Sequence, residues 1–289
     1  MLSSRVLLIS DVLEKADEQP QWICNPYVVR RGITFLHGKT SIGKSPLSWE
    51  LARTAAQGLD FIGWPTIASN VLYLEADGAE ILLRSRLRCM PQPVGEWRIA
   101  FLAGESLNLC DPDHKMFKIF STWRQQWEPD LVIWNTLRQF YKGNAIDSDT
   151  VGRVYSAMLR AFPFAGHWVS AHDRKINTDP SALNAADEEF AGSAAWRDLA
   201  TVGLHLVKGG NKRVGATLTL EHTKSQVSEL MEPVRLVLGE DGTTLTSALP
   251  TRAQIAALWE KCPEDQDRGT WTAHQLNISR RTLFRIKAT

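Results

Sequence analysis

FLHGKTSIGKSPLSWELA, residues 35–52, is the stretch on which the fold turns. Gly38, Gly43, Lys44 and Ser45 fit the pattern G-x-x-x-x-G-K-[ST], directly after the apolar run GITFLH and before an amphipathic helical segment. The glycines let the backbone curl, so that the amides of Gly38, Lys39, Thr40, Ser41, Ile42, Gly43, Lys44 and Ser45 face the oxygens of a phosphate. Lys44 is then placed to meet β and γ phosphates, and the Ser45 hydroxyl to ligate magnesium. Pro46 departs from what such a loop offers. Proline is tolerated in a helix's first turn, but it has no N–H, so one anion contact of roughly 1.5–3 kcal/mol is lost. The remaining donors and Lys44 still suffice to hold a triphosphate.

Around this loop, short apolar runs alternate with helix-period segments. The runs cover residues 33–37, 70–76, 98–103, 130–135, 166–172 and 202–207. Near-continuous apolar strands separated by helices predict an α/β core with a mostly parallel sheet covered on both faces. After Lys208 the strands become two-sided, and Asp241-Gly242 reads as a hairpin turn, so the sheet is expected to continue antiparallel. A core over residues 1–250 and a small all-α module over 251–289 follow from the change to polar helical text near Pro250. Residues 175–190 are polar and turn-rich, as in a loop.

Composition narrows the class without naming a partner. The 289 residues carry 33 basic and 32 acidic side chains, a net charge of +1, so any nucleic-acid contact must come from a local patch. The four cysteines, Cys24, Cys89, Cys110 and Cys262, have no metal-ligand spacing and read as reduced packing residues of a cytoplasmic protein. The first twenty residues lack the features of a signal peptide, and no run approaches the roughly 18 apolar residues of a membrane span. Of the 11 tryptophans, Trp49 and Trp196 read as core and Trp64 as a loop anchor.

Taken with the later stretches AAQGLDFIGWPTIASNVLYLEADGAE, DLVIWNTLRQF, WVSAHDRK, FAGSAAWRDLATVGLHLV and LTLEHTKSQ, the chain resembles the RecA-like ATPases. Within them it resembles the hexameric replicative helicases of the plasmid RepA family, over about residues 20–240. The resemblance implies a RecA-like core assembled as a homo-oligomeric ring, ATP and Mg2+ between subunits, and single-stranded DNA in the channel. It places Asn135 where the family has a magnesium-holding aspartate, and Asp77 where the family has a glutamate that orients the attacking water, with Glu75 two residues earlier. An amide offers one oxygen without the charge, and Asp77 is a shorter carboxylate. The resemblance further implies a γ-phosphate sensor at His172 and a basic residue, Lys224, reaching a neighbour's phosphate. Arg86 and Arg88, or Arg174 and Lys175, are candidates for phosphate or DNA contacts.

The C-terminal segment has helix-turn-helix spacing: Ala273 for close contact, Leu276 and Ile278 around a turn at Asn277, Ser279 as a cap, then Leu283 and Ile286. Arg280, Arg281, Arg285 and Lys287 would form a DNA-binding face on duplex DNA; the competing reading is a helical bundle docked on the core or on another subunit. Two functions therefore stand side by side. One is a helicase-like ATP-driven motor or loader in DNA replication of a plasmid, phage or other mobile element. The other is a degenerate nucleotide-binding protein with little or no hydrolysis, acting as a DNA-bound scaffold or regulator.

Overall fold

The computed structural model describes residue 9 and residues 20–78, 80–93, 95–144, 147–173, 194–209, 216–239, 241–247, 250, 252–276, 278 and 280–288. One nine-stranded sheet organises them. Its strands are β1 (Ile33–Gly38), β2 (Val71–Glu75), β3 (Arg98–Phe101), β4 (Leu131–Asn135), β5 (Gly166–His172), β6 (Val202–Gly209), β7 (Thr217–Ser225), β8 (Val234–Leu238) and β9 (Leu245–Ser247). Their order across the sheet is β9-β8-β7-β6-β1-β5-β4-β2-β3. From β6 to β3 every neighbouring pair is parallel; from β6 to β9 every pair is antiparallel. The expected change of pairing after residue 208 is therefore present, and Gly242, at φ 68°, sits in the turn that joins β8 to β9.

Burial on both faces explains the unbroken apolar runs. Along β2, Val71 and Tyr73 enter one core while Leu72 and Leu74 enter the other; along β4, Leu131 and Ile133 oppose Val132 and Trp134 in the same way. Helix α1 (Lys44–Ala55) covers the first face through Leu47, Trp49 and Leu51. Helix α2 (Glu80–Leu87) follows β2 and adds Leu83 to that core. Helices α3 (Met116–Trp127) and α4 (Ser148–Ala161) cover the second face with Phe120, Val154 and Met158. Short α5 (Ala194–Leu199) brings Trp196 onto Phe35, ring centroids 5.6 Å apart. Trp64 is 2% exposed, so it is a core residue rather than a surface anchor.

Helices α6 (Arg252–Glu260), α7 (Arg268–Gln275) and α8 (Arg280–Ala288) close the chain. Asp267 caps α7 by accepting from the Thr270 amide. Ile255, Ala273, Leu283 and Ile286 belong to the same buried cluster as Leu204, Leu236 and Leu245 of the sheet. The helices are packed on the core through a shared apolar interior. The turn residues Asn277 and Ser279 lie outside the described residues. Among the described residues, no helix is long and apolar enough to cross a membrane.

Candidate functional site

Parallel strands present their carboxyl ends on one edge of the sheet, and the turns there carry the residues singled out by the sequence. The β1–α1 loop is built on two glycines that no other residue replaces without a shift. A Cβ at Gly38 would meet the Leu206 carbonyl oxygen at 2.6 Å, and Gly43 holds φ 119° as it enters the helix. No side chain caps the start of α1 and no acidic residue stands in its first turn, so its first amides are open to an anion. The first helical bond from this end runs from the Leu47 amide to the Gly43 carbonyl at 3.1 Å. Pro46, just before it, occupies a position where an N–H would have no helical partner, which is why the helix tolerates it.

Lys44 is buried, with Nζ donating to the carbonyls of Gly38 at 2.7 Å and Lys39 at 2.8 Å. His172 Nδ1 lies 3.1 Å from the same ammonium and 3.4 Å from Thr40 Oγ1. Burial pulls the Lys44 ammonium down to about 8, against the opposing charges of Asp173 and Asp77. Burial, and then Lys44, lowers His172 from the usual histidine range, which leaves Nδ1 as an acceptor for the lysine. His172, expected to sense a γ phosphate, thus stands beside Lys44 and Thr40 of the loop.

Because β5 lies between β1 and β4, the β4 end reaches the site from beyond a strand. Ser45 Oγ donates to Asn135 Oδ1 at 3.4 Å. Asp77 is exposed, accepts from Thr136 Oγ1 at 3.3 Å and, with Arg86, lines the same cavity of about 420 Å³. Residues 40–46, Asn135 and His172 line it as well, while Gly38 and Lys39 form the base of the loop. Trp49 and the β8–β9 turn at Asp241-Gly242 complete the wall. Burial works to raise the Asp241 carboxyl, but hydrogen bonds from Thr244 and Thr243 hold it down to about 2, so the turn is pinned rather than offered to a ligand.

Glu75 corrects the sequence reading. It is 3% exposed, and its oxygens accept from Asn135 Nδ2 at 2.9 Å and from the amides of Asp77 at 2.9 Å and Gly78 at 3.1 Å. Its oxygens are thus occupied, and it is Asp77, not Glu75, that lines the cavity. Lys224, expected to reach a neighbouring subunit's phosphate, does not line this chain's own pocket. It pairs in register with Gly203 near the start of β6, level with Phe35, three residues before Gly38 on β1. Its Nζ donates to the carbonyls of Arg197 at 2.7 Å and Asp198 at 2.6 Å, closing the end of α5.

Behind the loop, sequence reasoning missed a second polar cluster. Asp173 Oδ1 lies 2.8 Å from His37 Nδ1, and Oδ2 lies 3.5 Å from His205 Nε2. Burial raises the Asp173 carboxyl, yet its two histidine hydrogen bonds bring it to about 2. The imidazoles are stacked at 4.2 Å with planes 4° apart, so an ion in the plane of one ring lies off the plane of the other. Through the Asp173 carboxylate the grouping ties β1 to β6.

The basic residues of the C-terminal helix have partners inside the chain. Arg280 pairs with Asp267 at 3.4 Å and lies over Phe284, Arg281 pairs with Glu229, and Lys287 Nζ sits 3.1 Å from the Trp259 ring centre. The side chain of Arg285, like Arg174 and Lys175, lies outside the described residues.

An uncapped helix start behind a glycine-built loop, with a buried lysine and oxygen donors from adjacent strand ends, defines a P-loop nucleotide-binding domain. A family model described as AAA domain matches residues 2–168, more than half of the 289-residue chain. The chain belongs to this AAA domain family, a P-loop ATPase family. No curated protein matches it.

Proposed function

We propose that this chain binds ATP with Mg2+ and hydrolyses it, as a RecA-like, helicase-type motor or loader. The observation that carries the reading is the convergence of Lys44, Ser45, Asn135 and Asp77 from three strand ends on one cavity of about 420 Å³. The loop amides and Lys44 would hold the triphosphate tail. Ser45 Oγ and Asn135 Oδ1 are neutral oxygen donors of the kind a hard cation accepts when phosphates and water complete its shell. When bound, Mg2+ supplies charge compensation across the β and γ phosphates. Asp77, exposed on the far wall and held by Thr136, would orient a water, and His172 would read the γ phosphate beside Lys44.

The sequence resemblance supports single-stranded DNA as the substrate track, a homo-oligomeric, hexameric ring and a role in mobile-element replication, and the scattered cysteines support a cytoplasmic setting. For residues 251–289, the shared apolar interior and the internal partners of Arg280, Arg281 and Lys287 favour docking on the core over reading of duplex DNA. ATP turnover measured with Mg2+, with and without single-stranded DNA, tests the proposal. Turnover that Lys44→Ala abolishes is expected; nucleotide binding with turnover at background would remove the motor reading.

A further inference from the structure

The nucleotide reading leaves Glu75 without a task, although burying a carboxylate is costly and three N–H groups converge on this one. An asparagine side chain presents an oxygen on one side and an NH2 on the other, and exchanging them alters its shape hardly at all. What fixes the choice at position 135 is its partner. Glu75 Oε2 accepts from Asn135 Nδ2 at 2.9 Å, so the NH2 is turned inward and Oδ1 is turned to Ser45, 3.4 Å away. The opposite orientation would aim two N–H donors at the place where a cation belongs.

We propose that Glu75 is a positioning residue for a divalent cation: it selects the one orientation of Asn135 that presents an oxygen beside Ser45. Through the amides of Asp77 and Gly78 it also sets the turn that carries Asp77 to the cavity. The inference rests on the nucleotide reading. It explains how an amide serves at a strand end where the resemblance expects a carboxylate: the carboxylate stands behind the amide on β2, the neighbouring strand of the sheet.

Reciprocal substitution tests it. In Glu75→Gln, the new side chain meets an N–H with its own NH2 in either orientation, and losing the single bond to Asn135 is cheaper than losing two backbone bonds. Asn135 is then free to turn. Adding Asn135→Asp restores a donor–acceptor pair of reversed polarity, with the second aspartate oxygen facing Ser45. ATP affinity would be measured by calorimetry in EDTA and in excess Mg2+, with a melting curve for each variant. Glu75→Gln should leave affinity in EDTA unchanged and reduce the Mg2+-dependent gain about 10- to 100-fold, the usual cost of removing a group that orients a ligand. The double variant E75Q/N135D should regain it. A general loss of stability would weaken both conditions equally and would not be rescued by a change at position 135. If E75Q alone fails to fold, the double variant carries the test by folding and showing the wild-type gain. A full Mg2+ gain in folded E75Q, or none in the double variant, overturns the assignment. Failure of the wild type to bind ATP in either condition defeats the nucleotide reading itself, and this inference with it.

Discussion

Replacing Pro46 with alanine should tighten nucleotide binding while loosening the fold. Helical bonding begins at the Leu47 amide, which reaches the Gly43 carbonyl at 3.1 Å. An N–H restored at residue 46 therefore has no competing partner in the helix, and Pro46 itself lines the cavity beside Ser45. A hydrogen bond to a charged phosphate contributes about 1.5–3 kcal/mol, which at about 1.4 kcal/mol per decade is roughly a 10- to 150-fold gain in affinity. Proline's restriction of the unfolded chain is lost at the same time, costing about 0.4–1 kcal/mol of stability. The two effects have opposite signs, so improved folding cannot imitate the gain. Calorimetric titration with Mg2+-ATP and a denaturation curve measure them separately. Unchanged or weaker binding by a folded Pro46→Ala protein would show that the amide of residue 46 does not face a phosphate.

Titration of His167 should make the fold acid-sensitive. Its Nδ1 accepts from Trp134 Nε1 at 3.2 Å, and its Nε2 donates to the Phe162 carbonyl at 3.1 Å; burial holds the ring near 4 instead of 6.5. Because the unfolded chain then takes up a proton that the native one refuses, the neutral ring's stability is complete above pH 6.5 and declines toward pH 4, by on the order of 3 kcal/mol. A His167→Gln variant should lose that part of the slope; an unaltered pH profile would count against the buried neutral ring. Leu283, 0% exposed in the main core, should cost about 2–5 kcal/mol when changed to alanine and shift one cooperative transition of the whole chain. A separate, selectively weakened transition would mean that the C-terminal helices fold alone. With the Lys44 ammonium at about 8, the free protein is partly deprotonated there at mildly alkaline pH, and phosphate binding should draw a proton onto it. Calorimetry at pH 9 in buffers of different ionisation enthalpy should register uptake, and Lys44→Ala should remove it.

Local pattern carried much of this structure into view. The alternation of apolar runs located β1 to β6, since strands buried on both faces must be apolar throughout, and the two-sided text after Lys208 marked the antiparallel extension. The loop from Gly38 to Ser45 was legible because its glycines, lysine and serine are consecutive. Strand order was not legible, because nothing local states that β5 lies between β1 and β4. That long-range pairing decides which residues meet. It delivers Arg86 and the Asp241 turn to the cavity, and sets Glu75 against Asn135 rather than against solvent. The internal partners of the C-terminal basic residues were hidden for a related reason. Charge on a helix reads as a free face until acidic and aromatic partners distant in sequence, Glu229 and Trp259 among them, are seen beside it.

Titrating ATP into the intact chain in a calorimeter probes the phosphate cradle most directly. Saturable one-site binding that Lys44→Ala weakens or removes is predicted. No association at millimolar ATP or its analogues, by folded wild-type protein with Mg2+ present, would contradict the assignment of residues 38–45 as a nucleotide-binding loop.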